Sequence, residues 1–142
     1  MSLSLIAHAL LAASAPAHSI DLHHLGASYD VEYRSVVETE AKTRMMGGPA
    51  RPHAVRCDLT ATIFVERHIS GAGSGQAIRN TIAPTKVLEK TSYGPCSNTA
   101  ARLEKLVASR SGEISTFLAS AAEADRPSAL AAIEAARSLA IN

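Results

Sequence analysis

Two long stretches of this chain alternate apolar and polar residues, and they restrict the fold more than any other feature. From Tyr29 to Thr43, the residues Tyr29, Val31, Tyr33, Val37, Thr39, Ala41 and Thr43 share one parity. Asp30, Glu32, Arg34, Glu38, Glu40, Lys42 and Arg44 take the other, with Val36 the one exception. The pattern returns from Val55 to Ile69, where Val55, Cys57, Leu59, Ala61, Ile63, Val65 and Ile69 oppose Arg56, Asp58, Thr60, Thr62, Glu66 and His68. A period of two sustained this long, with one wet face, specifies antiparallel strands. The Met45–Pro52 segment, rich in Gly and Pro, joins them, so the two runs predict a long hairpin at about 29–44 and 54–69.

The charges select a register. Opposed residues share a face, so paired numbers sum to an even value. A sum of 100 sets Lys42 against Asp58, Arg34 against Glu66 and Glu32 against His68, at the cost of Arg44 facing Arg56. A sum of 98 sets Glu32 on Glu66 and Glu40 on Asp58, which like-charge repulsion disfavours.

Beyond the hairpin, the Gly/Ser-rich turn at Ser70–Gln76 lacks both the third glycine of a dinucleotide loop and the lysine of a Walker loop. Ala77–Ile82 and Lys86–Tyr93, separated by Pro84, read as two weaker strands continuing the meander. From Ser97 onward the chain turns Ala-rich and the period lengthens. Ser97 or Asn98 offers a helix cap, Gly112 a break, and Asp125 with Pro127 a fresh helix start. Strands followed by helices predict an α+β fold: an antiparallel meander of three to four strands, then two to three C-terminal helices packed on one face. The sheet is expected over about 28–93 and the helices over about 97–141.

Met1–Ala17 contains no Asp, Glu, Lys or Arg and carries a short apolar run ending in Ala15-Pro16-Ala17. Small residues there place a signal-peptide cleavage between Ala17 and His18, leaving 18–142 as a single α+β domain. The n-region lacks the usual Lys or Arg; an Ala/Leu-rich helix packed on the domain is the alternative. The run is too short to span a bilayer, which leaves no membrane span after cleavage. The expected location is periplasmic or secreted. The two cysteines, Cys57 and Cys96, fit it: an even number in an exported chain predicts a disulfide pinning the first helix to the sheet. Free buried thiols are the alternative if the chain stays in the cytosol.

Composition narrows the function by exclusion. With 14 Lys plus Arg against 13 Asp plus Glu and 4% aromatic residues, the chain has neither the charge of a nucleic-acid binder nor a stacking platform. No nucleophile elbow, metalloprotease helix or calcium loop is present. The carboxylates in evidence lie on wet strand faces, so an enzyme reading has no anchor and no catalytic residues are assigned. Three readings remain. The first is an exported, non-catalytic binding or structural module that contacts an envelope protein or surface component. The second is copper or other transition-metal binding by the mature N-terminus, where His18, with its α-amino group, and His23 or His24 make a nitrogen-rich set. The third is an enzyme without a recognisable motif.

Overall fold

The computed structural model describes residues 15–47, 54–71 and 77–141. Residues 1–14 of the expected leader, most of the Met45–Pro52 connection and the centre of the Ser70–Gln76 turn lie outside them. Four antiparallel strands, β1 (Ala17–His24), β2 (Ala27–Met46), β3 (Ala54–Gly71) and β4 (Ile78–Tyr93), form a meander in the order β1-β2-β3-β4. Two helices follow, α1 (Thr99–Ser109) and α2 (Ser111–Ile141). The α+β class, the meander and the C-terminal helices are as the periodicity predicts. No helix among the described residues is long and apolar enough to cross a membrane.

The β2–β3 register is the one chosen by charge: Lys42 opposes Asp58, Arg34 opposes Glu66, Glu32 opposes His68 and Arg44 opposes Arg56. The ion pairs themselves run along strands and diagonally. Arg34 reaches Glu32 (2.5 Å), Lys42 reaches Glu40 (2.9 Å), and Asp58 stands between Arg44 and Arg56. That last arrangement is how the fold tolerates the Arg44–Arg56 juxtaposition. The hydrogen bond from Arg34 holds the Glu32 carboxyl below the usual carboxylate range.

Three expectations need correction. The sheet starts at Ala17, ahead of the predicted boundary near residue 28, because Ile20 and Leu22 pair with Val31 and Tyr29 and reach the core. The two weak strands around Pro84 are one strand, β4, since a register shift between Ile63 and Val65 of β3 absorbs the irregularity. Proline has no N–H to give a ladder and is tolerated on an edge strand beside such a shift. The helical segment breaks at Arg110 and not at Gly112, and Pro127 begins no new helix; it lies inside α2. An interior proline costs about 3 kcal/mol. Here the inward stripe Ile114, Leu118, Ala121, Ala122, Ala129 and Ile133 runs unbroken past it and offsets that cost by burial.

Both helices cover the same face of the sheet. Leu103 and Leu106 of α1 and the α2 stripe pack on Val31, Leu59, Ala61, Ile63 and Val65. Cys57, fully buried, is bonded to Cys96, and the Cys96 N–H donates to Thr43 Oγ1 at 3.1 Å. The segment entering α1 is thereby fixed to the strand ends, as predicted. Asn98 occupies the cap position of α1 but makes no side-chain cap bond. Helix α2 then crosses the whole sheet. It starts beside β4, where Glu113 meets Lys86 at 2.7 Å, and ends beside β1, where Arg137 Nη1 donates to the His24 carbonyl at 3.5 Å.

Candidate functional site

On the covered face, one cross-strand row is polar. His18, Tyr33, Arg67 and Asn80 are successive partners across β1, β2, β3 and β4. Arg67 has the parity of the apolar β3 residues and is 4% exposed. Asp125, at the single polar place in the inward stripe of α2, accepts hydrogen bonds from Arg67 Nη1 (2.7 Å) and Tyr33 Oη (3.1 Å) on the same Oδ2. With its amide turned to satisfy both neighbours, Asn80 accepts from Arg67 Nη2 at 3.2 Å and donates to the Arg79 carbonyl at 2.6 Å. Burial, reinforced by the Asp125 carboxylate, pushes the Tyr33 phenol far above its ordinary value. Among the described residues, Arg67 Nε is buried without a hydrogen-bond partner, as are Arg56 Nε and His24 Nε2 elsewhere on the sheet. A tyrosine held protonated and an arginine held by a carboxylate form a network that is buried at Tyr33 and Arg67 and reaches solvent at Asn80, and its chemistry is that of a structural tie. The alternation assigned Arg67 to neither face. Its charge at an apolar parity, together with a lone Asp in an Ala-rich helical stripe, was the signal available.

Among the described residues, no helix packs on the opposite face. At its far end, the outward residues of β2, β3 and β4 line a depression of about 430 Å³ that includes Glu40, Lys42, Arg44, Arg56, Asp58 and Thr91. Asp58 organises it: Arg44 Nε and Arg56 Nε lie 2.9 and 3.2 Å from its two oxygens, and Thr91 Oγ1 donates to it at 3.1 Å. A carboxylate so engaged is a scaffold for guanidinium groups. Neither arginine has a second ion pair among the described residues, which leaves each fork free to meet acceptors from outside. Tyr93 is the β4 neighbour of Arg56 and is 95% exposed.

The histidines singled out from the sequence are spread along β1. His18 and His24 lie on the covered face, with Tyr33 and Ala27 as β2 partners, whereas His23 lies on the open face opposite Ser28. Along an extended strand, His18 stands about 16–20 Å from the other two. His24 Nε2 lies 3.2 Å from Glu134 Oε1. Among the described residues, no three His, Cys, Asp or Glu side chains converge as a metal site would require. Ala17 pairs with Arg34, and the Pro16 carbonyl accepts from the Ser35 N–H at 3.4 Å and the Ser35 hydroxyl at 3.3 Å, so the expected cleavage point falls at the first residue of β1.

No family model, curated protein or solved structure matches the chain.

Proposed function

We propose that this protein is an exported, non-catalytic binding module whose open sheet face, the one opposite α1 and α2, contacts an envelope protein or surface polymer bearing acidic groups. The observation that carries the reading is the pair Arg44 and Arg56, oriented by the shared Asp58 beside the exposed ring of Tyr93. Planar guanidinium forks recognise carboxylate or phosphate in pairs, and an adjacent exposed aromatic ring adds contact area at low entropic cost. The Cys57–Cys96 disulfide fits an oxidising compartment.

Photocrosslinking in the producing cell tests the reading. A photo-reactive phenylalanine analogue replaces Tyr93 in one variant and Ala131, exposed on α2, in another. Adducts with an acidic envelope macromolecule from position 93, absent from position 131 and reduced about tenfold by Arg56→Glu, are expected. Equal labelling from both positions, or adducts indifferent to Arg56→Glu, overturns it.

A further inference from the structure

We propose that a second copy of this chain pairs with the bare edge of β2, antiparallel and centred on Ala41, joining two four-stranded sheets into one. Strand β1 flanks β2 only as far as the Ala17–Arg34 pair, with one further bond from the Ser35 N–H to the Pro16 carbonyl. Among the described residues nothing pairs with that edge from residue 36 to 46. Backbone groups in an antiparallel ladder point alternately to the two sides. Ser35 bonds toward β1, so Val37, Thr39, Ala41, Thr43 and Met45 direct their N–H and C=O groups outward over the bare stretch. Such an edge is a template for another strand.

The side chains of this edge are complementary to themselves. Centred on Ala41, the pairing sets Glu38 against Arg44 and Glu40 against Lys42, each twice by symmetry, and Thr39 against Thr43. Opposite charges and Thr–Thr pairs are among the favourable cross-strand combinations. Slipping the pairing by two residues sets Glu40 against its own counterpart in one direction and Lys42 against its own in the other. A one-residue slip sends each side chain to the wrong face. The apolar ends agree as well. Met45, 70% exposed, meets Val37 on the helix side, and Met46, 46% exposed, meets Val36, whose β3 partner is Phe64. Two exposed methionines thus gain apolar partners, one of them next to an aromatic ring. The resulting interface is isologous, the same patch on both copies, as a closed two-fold dimer requires.

Sedimentation equilibrium on the full chain tests this, from about 1 μM to about 1 mM. The expected result is a concentration-dependent dimer. Glu40→Lys alone and Lys42→Glu alone each weaken it about tenfold or more, since each turns two attractive pairs repulsive; the double variant returns to within about threefold of the parent. Ala41→Pro removes an outward N–H without touching the β3 ladder, so it abolishes the dimer while the circular dichroism spectrum is kept. A chain that stays monomeric throughout the range overturns the proposal and leaves the edge to a different partner. A dimer indifferent to the single charge reversals places the contact elsewhere and also overturns it. The readout is mass alone, so it stands or falls independently of what Tyr93 contacts.

Discussion

Over Tyr29–Arg34, β2 is flanked on both sides, by β1 and by β3; over residues 36–46, among the described residues, only β3 pairs with it. The first half buries Tyr29, Val31 and Tyr33 beneath α2. The second ends in exposed Lys42, Arg44, Met45 and Met46. Both halves have the same alternation, so the pattern does not set the difference. Distant chain does. The flanked half is held by a polar tie from Asp125 and by the far end of α2, whereas the bare half is held near its tip by the Cys57–Cys96 bond and by charges across the ladder. A sheet can thus be closed by its own chain at one end and left open to another chain at the other.

The largest way to break this contrast is Asp125→Ala. It strands the Arg67 charge, 4% exposed, and removes the acceptor of Tyr33. Removing one partner of a buried pair costs about 3–5 kcal/mol. Urea unfolding measures the loss, and hydrogen exchange should rise first in Ala27–Arg34. Replacing Asp125 and Arg67 together by Leu and Met should cost much less, because no charge is left behind.

Cys57→Ser acts on the other half. Opening a cross-link between residues 39 apart lowers stability by about 2–4 kcal/mol. Exchange should then rise around Thr43 and the start of α1 before it rises near Tyr33. If both variants loosen both halves equally, the two are one cooperative unit and the contrast fails.

Tyr33→Phe sharpens the comparison by pH. The folded chain keeps the Tyr33 proton well above the ordinary value of 10.0, whereas the unfolded chain releases it near that value. Stability from this group is therefore complete below about pH 10 and is lost as pH rises through the folded-state value. The variant should lose about 1 kcal/mol at neutral pH and show a shallower alkaline decline in urea melts.

The smallest effect is a gain. Leu25 and Gly26 turn from β1 into β2 with φ of 49° and 79°, and Leu25 is 75% exposed. Two successive positive φ values are those of the tight hairpin turn that favours Asn-Gly. Leu25→Asn should raise stability by about 0.5–1 kcal/mol, read as a higher Tm, while leaving the bare half unchanged.

What the chain discloses before folding follows the range of the forces involved. The hairpin and its register were legible because fifteen-odd alternating pairs and their charges lie along two neighbouring runs. Strand β1 was harder to place, since Ala17–His24 offers only Ile20 and Leu22 as apolar residues of one parity. Pro127 read as a boundary by its local geometry, yet the buried stripe on either side of it prevailed. The Arg67–Asp125 contact joins residues 58 apart, and no local period encodes it. The open-face cluster was half visible: the Arg44–Arg56 juxtaposition was foreseen as a cost, and its resolution by Asp58 required the side-chain positions.

Helix α2 begins against β4 and finishes against β1, where Arg137 and Glu134 meet His24. A ribosome makes β1 long before those two residues. Until they emerge, Ile20 and Leu22 have a neighbouring strand but little of the helix that closes over that edge. The first strand of the meander is therefore latched late, and the sheet must wait on the end of α2 for that strand to be secured.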